Sequence, residues 1–145
     1  MKKIMLSTIV LASVALFSFT PKTGKKQVTT FTVDAAKSKI DFTGSKTSDF
    51  HTGYFPVKSG SIKVDGGKLV GGSFAIDVAG IKVTDAAGDN LAKHLMSADF
   101  LDAMNFGEAT FVINSVNYTR ADRATVSGDL TLHGIKAPIS FTSYI

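Results

Sequence analysis

Three histidines, His51, His94 and His133, are the side chains of this sequence best suited to proton chemistry near neutrality. No two of them stand one helical turn apart, and their spacing matches no metal-ligand pattern. A zinc site, or a metal-dependent hydrolase, would need the fold to bring all three together. The chain has no cysteine, which removes thiol catalysis, a disulfide scaffold, iron–sulfur ligation and an acylated lipoprotein anchor. No serine occupies a G-x-S-x-G elbow; Gly60-Ser61 and Ser127-Gly128 read as sheet and turn residues. Glu108 is the only glutamate, and Asp99 with Asp102 reads as helix capping and solvation before acid–base work. The pairs Gly66-Gly67 and Gly71-Gly72 open no helix, so neither cradles phosphate. These residues assign no catalytic group, no metal and no cofactor, and the chain reads as a non-enzyme.

Phenylalanine carries more information. Eleven are present, two of them (Phe17 and Phe19) in an apolar N-terminal run and nine in the body. Each taken alone is best read as core. Together, on the inner face of a curled sheet of about eight strands, they would also suit the wall of a lumen holding one elongated apolar ligand.

The elements that must position these rings are strands. Apolar and polar residues alternate in Phe31-Thr32-Val33-Asp34, Ile40-Asp41-Phe42-Thr43, Ile62-Lys63-Val64-Asp65 and Phe74-Ala75-Ile76-Asp77-Val78. The same beat recurs in Phe111-Val112-Ile113-Asn114, Leu130-Thr131-Leu132-His133 and Ile139-Ser140-Phe141-Thr142. Successive strand side chains face opposite ways, so each segment has one apolar face, as an antiparallel sheet with one wet side requires. Asp65-Gly66-Gly67-Lys68 predicts a tight hairpin, Asn117–Asp122 and His133–Pro138 further turns, and Gly71-Gly72 a bulge or bend. Asp89–Ala103 breaks the beat and predicts two short helical turns, with Ser97 as the N-cap of the second. The fold class is therefore all-β, an antiparallel barrel or sandwich with one or two short helical turns.

The formal charge of +4 belongs to the N-terminus. Lys2, Lys3, Lys22, Lys25 and Lys26 precede any acidic residue, and from Gln27 onward eleven basic residues face twelve acidic ones. The body lacks the basic footprint of a nucleic-acid binder. Lys2-Lys3 followed by the apolar run Ile4–Phe19 has the form of an export signal over residues 1–20 and is short for a stable membrane span. Residues 21–30, rich in Lys and Thr, read as a solvated linker, and residues 31–145 as the folded domain. The expected location is the periplasm or the exterior of a bacterium.

Specific segments then resemble the YceI-like family. Phe31-Thr32-Val33-Asp34 through Ser38–Phe42 is similar to its opening strand pair, and Phe50-His51-Thr52-Gly53-Tyr54-Phe55 to its histidine–glycine–aromatic strand. The most specific likeness is His94-Leu95-Met96-Ser97-Ala98-Asp99-Phe100-Leu101-Asp102 to the HL-x-S-x-DFFD segment. Gly128-Asp129-Leu130-Thr131-Leu132-His133-Gly134 resembles the G-x-LTL-x-G hairpin. Leu101 departs from the pattern, as do Asn105-Phe106-Gly107 and Ile135-Lys136-Ala137. The family also usually continues well past the position of Ile145.

The resemblance implies a lipocalin-like antiparallel barrel, closed or left open at one seam, that binds a long-chain isoprenoid, an isoprenoid quinone or another apolar lipid. The expected wall is Phe42, Phe55, Phe74, Ile76, Phe111, Leu130, Leu132 and Phe141, with Leu95 and Phe100 closing one end. His51 and His94 are the candidates for the polar head of the ligand. The alternative is a non-enzymatic interaction or stress-response module, with a filled or open barrel whose free strand edge docks a second copy or a protein partner.

Overall fold

Alternation of this kind needs partners on the flanks of each strand, and the described residues supply them as eight antiparallel strands, with one short helix beside β5. The computed structural model describes residues 27–47 and 49–145. The expected export signal at 1–20 and the first part of the expected linker lie outside these residues. The strands are β1 (Thr29–Thr32), β2 (Lys39–Lys46), β3 (Asp49–Asp65), β4 (Lys68–Asp77), β5 (Lys82–Val83), β6 (Glu108–Arg120), β7 (Arg123–Leu132) and β8 (Ile135–Tyr144). A single turn of 3-10 helix (Ala35–Lys37) joins β1 to β2, and α1 (Gly88–Met96) follows β5. Strand β1 starts two residues inside the expected linker, ordered by the rungs Thr29↔Val64 and Thr30↔Lys63.

The hydrogen-bonded order is β1-β3-β4-β6-β7-β8, with β2 and β5 also pairing β3. The long strand β3 serves two neighbourhoods. Its first half takes β2 on one edge (Ile40↔Phe55, Phe42↔Gly53) and β5 on the other (Gly53↔Val83). Its second half takes β1 and β4 (Phe31↔Ile62, Gly60↔Phe74). Among the described residues strand β8 has β7 as its only hydrogen-bonded neighbour, and the sheet they form curls without closing.

Tight turns set the register. Gly66 (φ 57°) and Gly67 (φ 79°) link β3 to β4, and His133 (φ 52°) with Gly134 (φ 71°) links β7 to β8. Two successive left-handed residues are what a two-residue hairpin needs. The β6–β7 turn is Ala121-Asp122, so Asn117–Arg120, expected within a turn, belongs to β6. The expected bend at Gly71-Gly72 falls one residue earlier. Register slips between Lys63 and Val64 leave Val70 as an extra residue on β4, beside a Leu69 N–H that donates to Tyr118 Oη at 2.6 Å. Bulges of this type increase local twist and help a sheet to curl.

The segment over Asp89–Ala103 forms one helix instead of two helical turns. Ser97 ends α1: its Oγ donates to the His94 carbonyl at 2.7 Å, and its own carbonyl accepts from Asp102 N at 2.8 Å. With Asp102 in the left-handed region (φ 45°), the chain then turns tightly and does not restart a helix. This turn packs Ala103 with Ile76, Val78 and Ala109 into a buried cluster against which Met96, Leu101 and Leu132 rest. The cluster plugs one end of the curled sheet.

Candidate functional site

On the concave face the inward residues of neighbouring strands fall into rows. Phe74, Phe111 and Leu130 share one rung across β4, β6 and β7. The Phe74 and Phe111 rings stack with centroids 6.5 Å apart, and Phe111 meets Phe141 at 5.6 Å. The Phe111 ring lies over Gly128, where a Cβ would meet the Val112 carbonyl and lie 2.7 Å from the ring, and among the described residues no side chain fills the space in front of the row. The result is a cavity of about 670 Å³. Val33 and Ile40 line it from one margin, Ile139 and Phe141 from the other, so the two ends of the open sheet face the same space. Ser38, Lys39 and Ser143 are its polar wall residues; the remainder are apolar. That volume falls within the usual range for small-molecule sites.

Of the residues expected to form a wall, Phe55, Phe74, Ile76, Phe111, Leu130, Leu132 and Phe141 line this cavity. Phe42 does not. Its ring packs on Phe55 at 5.4 Å and faces a second pocket of about 580 Å³. Phe55 lines both spaces. Leu95 and Phe100 also belong to the second pocket; Phe100 is 58% exposed, and the buried cluster around Ile76 and Val78 plugs the first cavity instead.

The second pocket brings together His51 from β3 and His94 from α1. His94 lies in the last turn of α1 with its ring 5.9 Å from Phe100. His51 has a partner that no sequence pattern indicated. Its Nδ1 lies 3.3 Å from both carboxylate oxygens of Asp85, a long but bidentate approach. Asp85 also accepts from Thr52 N and Ala87 N, each at 2.8 Å. The Ala87 and Thr52 amides, with His51 behind them, hold the Asp85 carboxyl below its ordinary value of 3.8. An ionised carboxylate only accepts, so the Nδ1 of His51 carries hydrogen and Nε2 is left without a protein partner among the described residues. No hydroxyl among the described residues bonds to His51.

His133 stands apart. Its ring packs on Phe106 at 4.5 Å, its Nε2 is buried without a partner among the described residues, and it lines neither cavity. Among the described residues no group of three or more His, Asp or Glu side chains could hold a metal ion. No described helix is long and apolar enough to cross a membrane.

A carboxyl whose folded pKa lies below its unfolded value contributes stability above the unfolded pKa and loses it as pH falls through the folded one. In urea unfolding, the stability difference between the wild type and Asp85→Asn should be widest at neutral pH and shrink as the pH drops below about 4. A difference that does not change with pH would show that the Asp85 charge makes no contribution.

Known proteins agree with this architecture. Crystalline BcnA from Burkholderia cenocepacia superposes with a TM-score of 0.63 at 24% identity, over 76% of this chain and 69% of BcnA, a likeness of fold. The UPF0312 protein of Pseudomonas fluorescens (strain SBW25) is 36% identical over 121 residues, 75% of this chain and 62% of the relative. That of Pseudomonas putida (strain W619) is 51% identical over 49 residues, 34% of this chain and 26% of the relative. The chain thus spans less than two thirds of the length of these curated relatives. A family model described as the YceI-like domain matches residues 31–145, the whole of the curled sheet apart from the first residues of β1. By that match, the chain belongs to the YceI-like family.

Proposed function

We propose that this protein is an exported, non-enzymatic binding protein that shelters a long apolar lipid, such as a polyisoprenoid or an isoprenoid quinone, in the trough of its sheet. One observation carries this reading: an apolar cavity of about 670 Å³ lies beside a second pocket where polar side chains are available, and Phe55 lines both. A chain laid along Phe74, Phe111 and Phe141 would remove apolar surface from water on both partners. At roughly 25 cal/mol per Å², that outweighs the few polar contacts such a ligand needs. The export part of the reading rests on residues 1–20 and places the protein in the periplasm or outside the cell.

Native mass spectrometry of protein taken from its own cell envelope should find an apolar adduct that organic solvent extracts. Protein that carries no adduct, and takes up no polyprenol when offered it, would end this reading. A second reading has its own observation. Among the described residues strand β8 has a free edge, with Ile135 (68% exposed) and Tyr144 (72% exposed) on the strand, which suits edge pairing with another chain. It would replace the first if the same preparation were lipid-free and self-associated with rising concentration.

A further inference from the structure

The second pocket differs from the first in chemistry, and the difference identifies the kind of head group it would receive. Its polar wall is Ser45, Lys46, His51 and His94, and no carboxylate lines it. Asp85 stands behind His51, already holding two backbone amides and the imidazole Nδ1. We propose that this pocket takes an acidic head group, a carboxylate or phosphate monoester, between Lys46, His94 and the Nε2 of His51. This rests on the reading of the trough as the seat of the apolar chain.

The charge arrangement is what distinguishes acid from alcohol. With Nδ1–H committed to Asp85, a neutral His51 would turn a lone pair towards an anion and repel it. A protonated His51 donates from Nε2, and Asp85 balances the added charge from the other side of the ring. Binding an anion here therefore takes up a proton on His51, whether from solvent or from the acid itself. The titratable groups facing His51 are Asp85 from the β5–α1 connection, Lys46 from β2 and His94 from α1. Asp49, on the same strand as His51, is tied to Lys46 at 3.7 Å. Asp89 and Lys93 of α1 do not line the pocket. Because binding takes up a proton, affinity for an acid should rise as pH falls.

The test is displacement of a fluorescent apolar probe by hexadecyl phosphate, palmitic acid and hexadecanol, three ligands that share a chain length. At about pH 6 the better of the two acids should bind about tenfold tighter than hexadecanol, and at about pH 8.5 that preference should shrink. The tighter binder of the two acids identifies the head group as phosphate or carboxylate. His51→Gln and Lys46→Gln should each reduce the preference for an acid over hexadecanol; Lys46 is at the exposed rim, so its replacement leaves folding intact. Equal binding of all three ligands, or an undiminished preference in His51→Gln, overturns the inference and leaves the trough standing. Failure of every ligand, hexadecanol included, removes the trough reading and this one with it.

Discussion

Phe74→Asp should purify without lipid and take up an apolar probe at least about 100-fold more weakly than the wild type. Phe74 is half-buried at the centre of the aromatic row, stacked on Phe111, which in turn touches Phe141. In the empty trough a carboxylate there retains access to water, so the fold persists. A bound apolar chain would strip that water and leave an ionised group with no cation: among the cavity's wall residues Lys39 is the only base, and its Nζ is bonded to Asp41 at 2.8 Å. The cost of such burial is several kcal/mol, and each 1.4 kcal/mol is tenfold in affinity. Phe111→Asp should lose lipid as well, but with a larger loss of stability, because Phe111 is 7% exposed even without ligand. His133→Ala is the control. It removes a ring that packs on Phe106 and lines neither cavity, so lipid should still co-purify. Circular dichroism separates loss of fold from loss of ligand. Lipid retained by a folded Phe74→Asp, or lost equally from all three variants, would remove the proposed wall.

The largest expected loss of stability lies at Gly53. This residue shares one rung with Phe42 of β2 and Val83 of β5, where three strands meet. A methyl group there would collide with the Lys82 carbonyl and come within 2.5 Å of the Phe42 ring. Neither can retreat freely: the carbonyl is backbone, and the ring is held against Phe55. Gly53→Ala should therefore destabilise the protein by about 3 kcal/mol in urea unfolding, at the upper end of overpacking effects. The damage would spread to the second pocket, since a displaced β5 carries Asp85 away from His51. Gly44, on β2, has nothing within 4 Å of the equivalent position, and Gly44→Ala should change stability by less than about 1 kcal/mol. Equal midpoints for the two variants would show that β2 and β5 yield without cost.

Much of the trough was legible from side-chain alternation. Phe74, Ile76, Phe111, Leu130, Leu132 and Phe141 all sit on apolar faces of period-two segments, Phe55 was marked by the family resemblance, and all seven line the cavity. Phe42 obeys the same alternation yet faces the other pocket, because its place depends on where the long β3 changes partners. Bulges are harder still to read. At Asn114 the β6–β7 register slips by one residue, and only that slip brings Val116 opposite the inward Val126. Ser97 had the composition of an N-cap, but the His94 carbonyl claimed its hydroxyl and the chain turned. Asp85 left no trace in the pattern, because a carboxylate 34 residues away from its histidine is not part of any local repeat.

The order of residues alone settled which face each side chain shows, since neighbouring side chains on extended backbone must point in opposite directions and glycine pairs bend the chain back. It also settled the all-β character and the mixed charge of the body. The tertiary structure decided which strands face a common space, where one cavity gives way to the next, and which carboxylate meets which imidazole. Those outcomes depend on long-range pairing and single-residue slips, in which one inserted residue reverses every face beyond it.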